Sequence, residues 1–261
     1  MLNGSPCFLE VKLGGTFKMV ALWITLSMVC VNVVCAETKD QLLDAVRSGD
    51  LRRTRAVLSE DADVNAATDT GQTALMLAAR IGRADIVRLL LDHRGLVDTK
   101  DQNGATALMI ASTAGHLAVM KELLKRGANI NATDNSGMTS VLAAIMTDQF
   151  GAADYLVAAG AKVNIAAANG ATPLIAAVVE GRTNAVALLL RHGADPNLKD
   201  KNGLTPLISA VARDRFEIVK ILVNAGADLN ATSPQGLTPL RIAELQGYTD
   251  VTNLLKERKL R

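Results

Sequence analysis

The chain has 261 residues, of which 49% are hydrophobic and 21% charged, enough apolar material for a buried core and too much for a disordered tail. A net charge of +2 and an aromatic content of 3% argue against a nucleic acid partner, which favours a strong basic excess and rings for base stacking. The same balance argues against an anionic membrane surface.

The N-terminal stretch is distinct from the rest. All three cysteines, Cys7, Cys30 and Cys35, and the single tryptophan, Trp23, fall within the first 36 residues. The remainder therefore forms no disulfide, thiolate metal site or cysteine nucleophile. Lys12 and Lys18 precede an apolar run from Met19 to Ala36, and the polar ETKDQ follows at once. A basic lead, an apolar stretch and a small residue before a polar start predict a secretory signal peptide over 1–36, cleaved before Glu37 with Val34 and Ala36 as its recognition residues. The run is somewhat short for a membrane span of about 20 residues; an uncleaved anchor is the alternative. A lipoprotein signal fits less well, because Cys30 and Cys35 each follow a valine. Met1 and Met19 both stand as candidate starts.

Beyond the leader the chain keeps a beat. Threonine recurs at 73, 106, 139, 172, 205 and 238, always 33 residues apart, with glycine two residues before and leucine or valine two after. In the unit 101–133, Asp101 to Gly104 is turn chemistry and Thr106 stands where a helix N-cap belongs. Leu108, Ile110 and Ala111 begin a short first helix that Gly115 ends. A second helix follows, with Leu117, Met120, Leu123 and Leu124 as its apolar stripe and Gly127 as its stop. Two short helices and a turn cannot bury both faces alone, so neighbouring units must stack. Counting back 66 residues from this unit, Leu42, Ala45 and Gly49 keep the register, which makes 37–67 a degenerate N-terminal capping repeat. Five interior repeats occupy 68–232, and 233–261, ending in KERKLR, is the C-terminal cap.

These units resemble the ankyrin repeat: TPLIAA at 172–177, TPLISA at 205–210 and TPLRIA at 238–243 match its core, and RGANIN, AGAKVN, HGADPN and AGADLN match its tail. The resemblance implies an all-α solenoid of about seven helix-turn-helix units, including the two caps. It also implies a non-catalytic module that binds another protein. Three departures stand out. The histidine common after T-P-L is replaced by Met76, Met109, Leu142, Ile175, Ile208 and Arg241, so no histidine network is expected. Asp148 and Asp214 occupy the slot of Gly82, Gly115, Gly181 and Gly247, where a left-handed backbone costs a non-glycine residue about 1 kcal/mol. Ala152 and Ala153 stand where Val119 and Met120 do one unit earlier, so the unit 134–166 is expected to be the weakest of the stack.

Motifs for chemistry are missing. GATALMIASTAG has turn glycines before a helix but no lysine-serine or lysine-threonine pair of a phosphate loop, and no G-x-S-x-G elbow occurs. His93, His116 and His192 recur by repeat position rather than clustering, so neither metal nor cofactor is expected. The ladder Asn65, Asn131, Asn164, Asn197 and Asn230 reads as turn capping, and the basic clusters at Arg52–Arg55 and Lys256–Arg261 read as solvated caps.

Function should therefore lie on the surface. In the ankyrin family, partners contact the turn tips and the exposed ends of the first helices. Carried over by position, the tips are Asp69, Gln72, Gln102, Asn103, Met138, Asn169, Lys201 and Leu204. The helix ends are Arg80, Ile81, Thr113, Met146, Val179, Glu180 and Arg213. Apolar residues with polar edges suit a protein partner better than a phosphate polymer. The expectation is an exported, bacterial-type protein, periplasmic or secreted, monomeric, binding one protein and no nucleic acid. The alternative is the same scaffold anchored in a membrane by its uncleaved leader.

Overall fold

The computed structural model describes residues 38–259. The expected signal segment, its cysteines and its alternative as an anchor lie outside the described residues. Among the described residues there are fourteen helices and no strand. Helix α1 covers 38–47. It is followed by α2 (Leu51–Ser59), α3 (Ala74–Arg80), α4 (Ala84–Asp92), α5 (Ala107–Ala114), α6 (Leu117–Lys125) and α7 (Ser140–Met146). Then come α8 (Phe150–Ala158), α9 (Pro173–Glu180), α10 (Thr183–Arg191), α11 (Pro206–Val211), α12 (Phe216–Asn224), α13 (Pro239–Gln246) and α14 (Thr249–Lys259).

The repeated threonine starts each first helix. Thr73, Thr106, Thr139, Thr172, Thr205 and Thr238 have extended backbones, and each hydroxyl accepts the backbone N–H three residues on, at 3.2–3.4 Å. That satisfies one of the free donors of the helix start. Proline follows the threonine at the start of α9, α11 and α13, where its missing N–H costs nothing. The first helices are apolar almost all round: in α3 every residue from Ala74 to Ala79 is buried. Such a helix has to lie between others, here between its own second helix and the first helices on either side.

The second helices of the five interior units start without side-chain caps. Instead, the residue before each one reaches back to the preceding unit. An Arg83 guanidinium N–H donates to the Gly49 carbonyl, and His116 Nε2 lies 3.1 Å from the Arg80 carbonyl. This close approach explains the repeated glycine. A Cβ on Gly82 would lie 2.8 Å from the His116 ring, and one on Gly181 would lie 2.8 Å from the Arg215 guanidinium carbon. Asp148 holds the same slot with φ 59°, and its carboxylate lies 2.8 Å from Arg182, the residue that would otherwise crowd it. Asp214 takes φ 52° with no such ion pair among the described residues.

The stop of the second helices is less regular than the repeat predicts. Gly127, Gly160, Gly193 and Gly226 are left-handed, but in the unit 68–100 the glycine comes one residue late, and Arg94 takes φ 67° while Gly95 does not. The stacking register outweighs the local preference for glycine. The stripe of α6 also differs from expectation: Met120 and Leu123 are fully buried, Leu124 is half-buried, and Leu117 is 39% exposed. Leu117 is the first residue of α6, and the residue in the same slot of α8, Phe150, is exposed as well, at 42%.

The asparagine ladder ties units together rather than only capping turns. The side-chain oxygens of Asn65, Asn131, Asn164 and Asn197 accept backbone N–H groups of Leu96, Lys162, Asp195 and Asp228 at 2.8–3.0 Å, each 31 residues on. Asp98 does the same for Asn129. The local turn is held by the residue two earlier, as in Asp195 accepting from Asn197 at 2.8 Å.

Candidate functional site

The turn tips are linked by a backbone ladder. Gln102, Asn135, Ala168 and Lys201 donate their N–H groups to the carbonyls of Thr70, Asn103, Ser136 and Asn169 at 2.7–3.1 Å. The next donor in this register is Pro234, which has no N–H, so the ladder ends before the C-terminal cap. Within each tip, an acceptor at the first position clasps the turn: Asp101 accepts from Asn103 and Ala105, and Asp134 accepts from Ser136 and Met138. Asp200 accepts from Leu204, and Thr68 and Ser233 do the same with hydroxyls. In the unit 167–199 this position is Ala167, and the side-chain clasp is left to Asn169, accepting from Ala171 at 3.0 Å.

All fifteen residues carried over by position are at least partly accessible. On the tips Asp69, Gln102, Asn103, Asn169 and Lys201 are exposed, while Gln72, Met138 and Leu204 are half-buried. At the helix ends Arg80, Ile81, Thr113, Met146, Glu180 and Arg213 are exposed, and Val179 is half-buried. Gln102 is partly engaged by the scaffold, its amide donating to the Asp69 carbonyl at 2.7 Å.

Three of the fifteen come together. Met138, Met146 and Asn169 line a groove of about 270 Å³ between the units 134–166 and 167–199, with Ser136, Leu142, Ala167, Ala168, Ala171 and Ala176. The other twelve are spread along the two rows and do not share this groove. The groove exists because side chains are short there. Ala171 takes the slot of Gln72, Met138 and Leu204; Ala168 takes that of Gln102, Asn135 and Lys201; Ala176 takes that of Leu77 and Ile110. The alanines were visible in the sequence, but they coincide with ordinary repeat positions, and only stacking shows that they face the same space.

The groove lining is uncharged. From Gln102 through Val179, no tip or helix-end residue among those proposed carries a charge. Two exposed apolar residues that the positional reading missed, Leu117 and Phe150, stand 33 residues apart at the starts of α6 and α8. Phe150 also lines a second cleft of about 250 Å³ at the same junction, with Ala153, Arg182 and Ala185.

The perturbed ionisable groups lie elsewhere. The Arg83 side-chain hydrogen bond holds Asp85 below its ordinary value, Arg126 does the same for Asp92, and Lys256 for Glu244. Arg126 bridges Asp92 at 2.6 Å and the buried Glu122 at 3.1 Å, joining α4 to α6. These groups are structural ties between helices. Among the described residues, no group of three or more histidine, cysteine, aspartate or glutamate side chains is placed to hold a metal ion. No described helix is long and apolar enough to cross a membrane.

A family model described as ankyrin repeats in three copies matches residues 42–134 and 131–200, and another, for ankyrin repeats in many copies, matches 189–243. No curated protein matches the sequence. Among solved structures, the chain is similar to the ankyrin repeat domain of Bcl-3, described as a unique member of the IkappaB protein family, at 27% identity and a TM-score of 0.75. That likeness covers 83% of this chain and 97% of the other.

Proposed function

This chain belongs to the ankyrin-repeat family, whose members are generally protein-interaction scaffolds, and from that premise we propose that it is a non-catalytic module binding a protein partner through its turn tips and first-helix ends. The observation that carries the reading is the groove lined by Met138, Met146 and Asn169, in which no lining residue carries a charge. An apolar groove with charged residues outside its lining, Glu180 at the helix end of the same unit and Asp69, Arg80, Lys201 and Arg213 in the units beyond, has the layout of a protein interface rather than of a phosphate-binding groove. No nucleic acid partner is proposed, and the module acts as a monomer. A crosslinked pull-down from the native compartment tests this with Met138, Met146 and Val179 each changed to Asp. Loss of the captured protein supports the assignment, and capture indifferent to all three changes overturns it.

The proposal extends to location. The basic-then-apolar segment before Glu37 supports export to the periplasm or the medium of a bacterial-type cell. N-terminal sequencing of the mature protein decides between the two forms. A start at Glu37 supports the free exported protein, and a retained leader supports the membrane-anchored one.

A further inference from the structure

Resting on the scaffold reading, we infer that the groove between the units 134–166 and 167–199 receives one bulky aliphatic or aromatic side chain from an uncharged segment of the partner protein. Its volume of about 270 Å³ falls below the range of roughly 300–1,000 Å³ that small-molecule sites occupy. That size suits a single inserted side chain better than a cofactor. The lining is chemically selective. Leu142, Met138, Met146 and four alanines make the lining mostly apolar, and Met146 is 45% exposed in the free protein. Methionine side chains re-pack around inserts of different shape, which is the behaviour of an anchor pocket.

The polar groups at the rim indicate how the rest of the segment is held. Ser136 is exposed at the tip, its hydroxyl 2.7 Å from Asp134, and the Asn169 amide nitrogen has no acceptor among the described residues while its oxygen holds Ala171. A neutral amide donor at the lip fits a backbone carbonyl of an extended segment. The charge pattern points the same way. Asp134 and Asp200, the tip-row carboxylates of the units on either side of Asn169, already accept N–H groups of their own turns. Nothing at the groove rewards a charged ligand, and a buried unpaired charge there would be costly.

The scaffold supplies its own competitor for the site. The slot of Ala171 holds Leu204 one unit later, where leucine is half-buried. Ala171→Leu therefore fills the groove from within while keeping a side chain the repeat tolerates. The test is a random dodecapeptide library, displayed on phage and selected against the full chain, with the enriched clones then measured against A171L. The expected clones share one bulky apolar residue in an otherwise uncharged stretch. They bind A171L at least about tenfold more weakly, a loss of about 1.4 kcal/mol. Their affinity changes by less than about threefold when salt is raised, because no ion pairs are formed. Thermal unfolding of A171L checks that it is folded; if it is not, Met146→Asp, at an exposed position, takes its place. Clones that bind A171L and the parent equally, clones with charged and salt-sensitive consensus sequences, or no enriched clone at all overturn the inference. Clones indifferent to A171L but lost on changing Gln102 or Lys201 would preserve the scaffold reading while removing this groove from it.

Discussion

Ala153→Val is the most direct probe of how this stack is held together. The same slot carries Val87, Met120, Val186 and Val219 in the neighbouring units, all fully buried. Ala153 is itself 1% exposed and lines the cleft of about 250 Å³ shared with Ala185, so two further carbons have space to enter. At about 0.8 kcal/mol per buried methylene, the gain is bounded near 1.6 kcal/mol. The open side of the cleft and imperfect fit reduce the expected gain to about 1 kcal/mol. Hydrogen exchange followed by mass spectrometry reads the local effect, since units of a solenoid can open separately. In the parent, α8 should exchange fastest among the interior second helices, because Gly151 and two alanines weaken it. In A153V, exchange of α8 should slow about fivefold, the equivalent of that 1 kcal/mol. Faster exchange in the variant, or an α8 that is already the best protected second helix, would show that the slot is full and the packing argument wrong.

Three left-handed positions make a graded set. Arg94→Gly and Asp214→Gly should each raise the denaturation midpoint by an amount equivalent to about 0.5–1 kcal/mol, as neither parent residue has an ion pair among the described residues. Asp148→Gly should change stability by less than about 0.5 kcal/mol, because relief of strain is offset by loss of the part-exposed Arg182 pair; a large gain there would mean the pair contributes nothing. Thr172→Ala removes the acceptor for the Ile175 N–H and should cost about 1 kcal/mol in urea denaturation, with no loss meaning that the cap is dispensable. The carboxyls of Asp85, Asp92 and Glu244 have folded values below their unfolded ones, so their stabilisation is complete above the ordinary carboxylate range, around pH 4, and fades as pH falls through the lowered values. Denaturation midpoints measured down to about pH 3 should therefore fall, and less steeply for Asp92→Asn; an unchanged slope would remove Asp92 from the account.

The architecture was legible because it is local and repeated. A threonine that caps a helix does so with an N–H three residues away, and a glycine that turns the chain needs only its own backbone freedom, so Thr106 and Gly115 announce their roles within one unit. The family resemblance, the helix order and the accessible rows follow from that beat. What only the stacked structure decided involves residues about 31 to 36 positions apart. Asn131 reads as a turn residue until its oxygen is seen holding the Lys162 N–H, and Asp148 reads as strain until Arg182 lies beside it. Leu117 reads as core in its own helix and is surface in the stack, as is Phe150 in the same slot one unit later. The groove has the same origin. Ala168, Ala171 and Ala176 are unremarkable one by one, and they form a recess only because stacking brings them opposite Met138 and Met146, where no larger side chain fills the gap. Sequence periodicity dictates the scaffold, since each unit repeats the same local physics. Packing between units decides the recess, since an empty volume belongs to no single residue.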